Sequence, residues 1–132
     1  MKIYDLNELG VDKCDQRGWM VELADFAISQ GFEIKNTHVG NILPGQIRGN
    51  HLHQKQTEWL LVFGGKALII CQEKGETVQK EITVDDKLLF EVEQGCAHAI
   101  KNIDEHEIFV LAITDQVYNP ENPDRIFEKL VE

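Results

Sequence analysis

Pro44-Gly45-Gln46-Ile47-Arg48-Gly49-Asn50-His51-Leu52-His53-Gln54-Lys55-Gln56-Thr57-Glu58 is the stretch from which the rest of this chain can be read. His51 and His53 stand two residues apart, so on a strand both imidazoles point to the same side. Glu58 follows beyond a turn, at the start of the next run of strand-forming residues. If that strand runs back antiparallel, its carboxylate lies beside the two imidazoles. Far along the chain, Gly95-Cys96-Ala97-His98 offers a further nitrogen at the start of another strand. A lone His-x-His pair is weak evidence of a site, because such histidines are more often surface residues. With Glu58 and His98 added, the set His51, His53, Glu58 and His98 suits a borderline divalent ion, zinc foremost, with manganese, iron or nickel as alternatives.

Outward from this stretch, short β-branched and aliphatic runs recur between Gly, Asp, Asn and charge clusters. They are Glu33–Leu43, Glu58–Phe63, Lys66–Gln72, Val78–Val84, Lys87–Val92, Ala97–Ile103 and Ile108–Thr114. Short strands with turn signals between them predict an all-β sandwich or barrel. Gly64-Gly65 and Lys74-Gly75 serve as hairpin turns. Between Gly18 and Gln30 the pattern fits both periods, and it is read as a strand at Trp19–Ala24 followed by an irregular or short helical bend. The tail Asn119–Asp124 is turn-rich and leads into a short helix over Asp124–Leu130. In Glu58–Phe63, Leu60 and Val62 share the face of Glu58 while Trp59, Leu61 and Phe63 share the other. Both faces are apolar apart from Glu58, so both must be covered. A second sheet covers one; a partner subunit, hence a homodimer, or the chain's own N-terminal segment covers the other. Trp59 reads as packing rather than as a stacking platform.

The chain has 132 residues, 42% hydrophobic and 27% charged, which fits one domain over residues 1–132. The longest apolar stretch, Trp59–Phe63, is far below the roughly 20 residues of a spanning helix. Met1-Lys2-Ile3-Tyr4-Asp5 lacks the basic and apolar regions of a secretory signal. Cys14, Cys71 and Cys96 are odd in number without a CxxC pair, and read as reduced thiols of a cytoplasmic protein. A net charge of −10 argues against nucleic acid and against an anionic membrane as partner.

Gly45, His51, His53, Glu58 and Gly65 fit G-x5-H-x-H-x4-E-x6-G, and Gly95, His98 and Asn102 fit G-x2-H-x3-N. This pair of motifs resembles the two cupin motifs. It departs from them at Lys87 and Glu93, where the family usually carries glycine and proline. The resemblance implies a cupin-type double-stranded β-helix, a jelly-roll barrel, here with a short C-terminal helix. Nearly the whole chain resembles the small cupins of surface-polysaccharide synthesis. Arg17-Gly18, Phe32-Glu33-Ile34-Lys35 and Arg48-Gly49-x-His51-x-His53 resemble the dTDP-4-keto-6-deoxyglucose 3,4-ketoisomerases. Arg48–His53, Thr57-Glu58, Gly65–Ile69 and Asn119–Asp124 look closer to the metal-binding C-terminal cupin domain of capsular-polysaccharide reductases, which epimerises C3 of a UDP-4-keto-6-deoxy amino sugar. Those ketoisomerases tend to carry glutamine near position 58 and work without metal, so Glu58 favours the metal-binding branch.

Both reactions rest on one piece of chemistry. A C4 ketone acidifies the C3 proton, a base removes it, and donors or a metal stabilise the oxyanion that develops. The resemblance therefore implies a nucleotide-sugar epimerase or ketoisomerase with His51, His53 and Glu58 as catalytic groups. If the histidines bind metal they are not free bases, and metal-bound hydroxide, Glu58 or His38 must move the proton; without metal, His51 and His53 form the acid/base pair. Arg48 and Lys55 flank the histidines and are candidates for the diphosphate, Arg48 because its fork can clamp a phosphate. His38 joins this substrate-binding set, while His106 reads as a solvated surface residue. A metal-dependent cupin oxygenase or decarboxylase on a small organic acid, and a non-catalytic sugar-binding cupin, are the alternatives.

Overall fold

A computed structural model describes residues 1–10 and 12–132. Its elements begin with β1 (Lys2–Asp5), β2 (Asp12–Asp15), β3 (Gly18–Val21), α1 (Leu23–Gln30), β4 (Asn36–Ile42), β5 (Ile47–Leu52) and β6 (Glu58–Phe63). The second half adds β7 (Ala67–Glu73), β8 (Glu76–Ile82), β9 (Leu88–Val92), β10 (Ala97–Asn102), β11 (Ile108–Thr114) and β12 (Ile126–Phe127). The chain is all-β apart from one helix among the described residues. One sheet has the order β1-β9-β6-β11-β4, a second β12-β5-β10-β7-β8, and β2 and β3 form a small hairpin. The pairings within these sheets are antiparallel. Among the described residues no strand belongs to both five-stranded sheets, so the expected barrel takes the form of two facing sheets and is not closed by hydrogen bonds.

Strand parity decides what lies between the sheets. Leu60 and Val62 of β6 pack with Phe90, Val92, Val110 and Ala112 from their own sheet and with Ile69, Ile82 and Ile100 from the other. On the opposite face of β6, Trp59 and Leu61 form a second core with Leu6, Phe26, Leu89 and Ile113. Phe32 stacks on Trp59 with ring centroids 3.7 Å apart, and the Trp59 indole N–H donates to Glu91 Oε1 at 2.9 Å. The chain's own N-terminal layer thus covers the outer face of β6, and that strand supplies no argument for a homodimer.

Two expectations fail in the fold. The helix expected over Asp124–Leu130 does not form: Ile126 and Phe127 pair with Leu52 and His51 of β5. The N–H of Glu128 donates to the Asn50 carbonyl, and those of Leu130 and Val131 donate to Asn50 Oδ1. A segment this short nucleates a helix poorly, and donors met by β5 have no need of one. The strand expected at Trp19–Ala24 ends at Val21, and the bend expected after it is a helix at Leu23–Gln30, where Phe26 and Ala27 are buried, Phe26 in the second core, and Gly31 ends it in the left-handed region at φ 76°. The second correction concerns the thiols. Cys71 and Cys96 are bridged, with Cα atoms 6.5 Å apart, and only Cys14 is a free thiol among the described residues. The β7–β10 register sets Cys71 opposite His98, two residues from Cys96, a proximity that spacing along the chain does not reveal. No helix of the described residues is long and apolar enough to cross a membrane.

Candidate functional site

The site forms where β5, β6 and β10 meet. Along β5 and β10 the register runs His51↔His98 and then Gly49↔Ala99, so Asn50 is an extra residue, a bulge of the kind that re-aims a neighbouring side chain. Gly49 permits it. At φ +97° its backbone comes so near β10 that a Cβ would sit 2.7 Å from the His98 carbonyl oxygen. Asn50, itself at φ 56°, turns its amide to the C-terminal segment. His51 is left facing His98, with ring centroids 4.8 Å apart, and His53 lies on the same side at 4.8 Å from His51 and 5.3 Å from His98. The parity read from the sequence holds.

Glu58 opens β6 and is 5% exposed. Its Oε1 lies 3.4 Å from His98 Nε2 and its Oε2 3.5 Å from His53 Nε2. The Gln56 side-chain amide donates to Oε2 at 3.4 Å. Nδ1 of His98 faces the Cys96 carbonyl at 3.3 Å, and Nδ1 of His53 contacts the Asp124 carbonyl. Nε2 of His53 is buried without a hydrogen-bond partner among the described residues, its approach to Glu58 being too long for a well-formed bond. Donor atoms of His51, His53 and His98 lie within 4.8 Å of one another.

These contacts set the charges. Burial, with the neighbouring His98 and His53, pushes His51 down to about 4, so near neutral pH it is an uncharged imidazole. Burial opposes a charge on His53 as well, but Glu58 and the Asp124 carbonyl outweigh it and raise its pKa. Glu58 meets the same opposition from burial, yet contacts with His53 and His98 hold it well below the usual carboxylate range. The cluster therefore pairs an ionised carboxylate with one imidazole that resists protonation and one that favours it.

A cavity of about 590 Å³ opens over this cluster. Of the other expected residues, His38 and Arg48 line it. The Arg48 guanidinium lies over Gly40, and its Nε–H donates to the Asn41 carbonyl at 2.8 Å. Lys55 does not line it. Its turn carries it to an adjacent cavity of about 430 Å³, although it is near His53 in sequence. Arg125 and Tyr118, which the sequence reading missed, line both cavities and join them. They come from the tail, whose only signal was a turn-rich composition. His106 is exposed and faces Asp104 at 3.4 Å, as a surface residue does.

Two facing antiparallel sheets with a His-Glu cluster beneath a cavity define a small all-β protein with a pocket between them. Residues 13–126 match the polysaccharide biosynthesis C-terminal domain, and the chain belongs to that family. It is 30% identical over 112 residues to the UDP-2-acetamido-2,6-beta-L-arabino-hexul-4-ose reductase of Pseudomonas aeruginosa, a match covering 83% of this chain and 29% of the relative. It is 28% identical over 88 residues to the spore coat polysaccharide biosynthesis protein SpsL of Bacillus subtilis, covering 61% and 58%. The chain thus spans under two-thirds of the length of either curated relative. Among solved structures it resembles the 3,4-ketoisomerase QdtA of Thermoanaerobacterium thermosaccharolyticum in complex with TDP-4-keto-6-deoxyglucose, with TM-score 0.71, 18% identity and coverage of 87% and 80%. At that identity the likeness is one of fold.

Proposed function

We propose that this chain is an isomerase or epimerase of a dTDP- or UDP-linked 4-keto-6-deoxy sugar, moving the proton at C3, in surface-polysaccharide biosynthesis. The observation that carries the reading is the buried Glu58 between His53 and His98, with uncharged His51 beside them, beneath a cavity flanked by Arg48 and Arg125. The topology supports a cupin-type double-stranded β-helix, and packing on two cores supports one domain over residues 1–132. Membership of the polysaccharide family, and the names of the relatives, support a sugar nucleotide as substrate.

Three imidazoles and one carboxylate, with His53 Nε2 unpartnered and buried, fit a divalent ion, and His51, His53, His98 and Glu58 are the residues that would hold it. When bound, it would supply Lewis-acid stabilisation of the oxyanion at C3–C4. The chain's own groups do the rest. Arg48 and Arg125 bind the diphosphate, the cavity wall excludes water from the developing charge, and His38 is the imidazole outside the ligand set that takes the C3 proton. A second reading, with no ion, is favoured by the opposed shifts of His51 and His53. An uncharged His51 accepts the proton while a cationic His53, paired with Glu58, returns one to the sugar.

The experiment is metal analysis of the purified protein combined with C3 proton exchange in deuterated water, using dTDP- and UDP-linked 4-keto-6-deoxy sugars. Label at C3 is expected with one nucleotide series. No label with either refutes the reaction, and exchange undiminished by thorough chelation selects the second reading over the first.

A further inference from the structure

His53 stands one residue beyond the end of β5, so the strand ladder does not fix its ring. What fixes it comes from far along the chain. The Asp124 carbonyl contacts Nδ1 of His53, while the Asp124 carboxylate accepts the backbone N–H groups of Gln54 at 2.8 Å, Lys55 at 2.8 Å and Gln56 at 3.0 Å. One residue thus grips both the ring of His53 and the three peptides that follow it. The flanking chain is zipped to β5 as well, through Ile126↔Leu52 and Phe127↔His51, and through the Asn50 amide with Leu130 and Val131. The His53 backbone is held from a third side by Gly95, whose N–H donates to the His53 carbonyl at 2.7 Å.

The two nitrogens of a neutral imidazole are not equivalent: a carbonyl can only accept, so the nitrogen facing it must carry the proton, and the other keeps its lone pair. Here Nδ1 contacts the Asp124 carbonyl, whereas Nε2 is buried and, among the described residues, has only Glu58 Oε2 near it at 3.5 Å, too far for a well-formed bond. We propose that Asp124 is a positioning residue that fixes His53 as the Nδ1–H tautomer and presents its bare Nε2 to the cavity. It acts through His53. Two roles of one residue make this more than a turn cap: the carboxylate anchors the tail on residues 54–56, and that anchor sets the carbonyl against the ring. The proposal rests on the site described above for its purpose, but the tautomer does not depend on whether a metal binds.

The test begins with the native, metal-free chain at a pH where His53 is neutral. Long-range ¹H–¹⁵N spectra of the imidazoles are expected to show His53 protonated at Nδ1; protonation at Nε2 overturns the proposal. In Asp124→Ala, checked for folding by circular dichroism, the His53 signals are expected to move toward a mixture of tautomers. Zinc affinity, measured by chelator competition, is expected to fall roughly 10- to 100-fold, the range found when an outer partner of a ligating histidine is lost. Asp124→Asn, which keeps one side-chain oxygen for the turn, should recover part of that loss. A variant that unfolds more easily yet keeps both the native tautomer and the native zinc affinity identifies a turn cap and refutes positioning. If no form of the protein binds zinc while the tautomer still shifts, the metal reading fails and the positioning role stands.

Discussion

Replacing Gly49 by alanine asks how much the site depends on the close approach of β5 to β10. Two costs are legible in the structure. The residue sits at φ +97°, where an L side chain is strained by about 1–3 kcal/mol. A Cβ there would also lie 2.7 Å from the His98 carbonyl oxygen and 3.0 Å from Ala99 Cα. Both are backbone atoms, so no side chain can swing aside and the strands must part, an overpacking worth about 1–3 kcal/mol more. Gly75→Ala separates the two costs, because Gly75 has a similar φ of +82° and nothing within 4 Å of the place its Cβ would take. Gly49→Ala should therefore lose about 2–6 kcal/mol in urea unfolding, and Gly75→Ala only the strain share of about 1–3 kcal/mol, with similar m-values. For a domain of this size the difference is roughly 5–10 °C in Tm. The displaced backbone belongs to His98, so zinc affinity or C3 exchange should fall in Gly49→Ala and stay native in Gly75→Ala. If the two variants prove equally stable and equally competent, the close approach does not build the site and the reasoning fails.

Three further outcomes follow from the same contacts. Glu58→Gln removes the charge that raises the His53 pKa, so in the metal-free protein that pKa should fall, read from the His53 ring resonances; a constant value would show that Glu58 does not set it. His51 has its pKa lowered in the fold to about 4, so between pH 4 and its ordinary 6.5 the unfolded chain binds more protons. Metal-free stability from this group is therefore present above pH 6.5 and lost as pH falls toward 4, and His51→Asn should flatten the denaturation-midpoint profile across that window. Asn102 is fully buried, its amide donating to the Ile42 and His106 carbonyls and its carbonyl accepting from the Asp104 N–H, each at 2.8 Å. Asn102→Ala should cost about 2–4 kcal/mol in chemical unfolding, since the partners are left unsatisfied, and a loss under about 1 kcal/mol would show that water replaces the amide.

How much of the molecule was legible in its sequence depends on the range of the determinant. The side on which His51 and His53 point follows from strand parity, a property of adjacent residues, and it held. The two-sided burial of Glu58–Phe63 was legible for the same reason, and the strand formed with those bounds. Glu58 and His98 could be joined to the histidines because, with the glycines around them, they fit a pair of motifs that resembles those of the cupins. Arg125, Tyr118 and Asp124 could not be placed, since their role depends on a tail returning across the fold to residue 53. Lys55 was misplaced by the opposite error, nearness in sequence taken for nearness in space. The bridge of Cys71 to Cys96 and the missing C-terminal helix belong to the same class, for each is decided by a partner strand rather than by the segment itself.

The order of strands in the two sheets has a consequence for how the polypeptide is made. Among the described residues, β4, β5 and β6 pair only with β9, β10, β11 and β12, none of which has left the ribosome when β6 emerges. Until β9, which begins at Leu88, has emerged as well, Trp59–Phe63 is an apolar ribbon with no neighbour on either edge, the kind of segment that seeks another chain. Charged and amide residues on both flanks, from Gln54 to Glu58 and at Lys66, are then its only protection during that interval. Production of this protein should accordingly be limited by events on nascent chains, and slower elongation during the interval in which β6 has emerged and β9 has not should lower the soluble yield without changing the stability of the molecules that do fold.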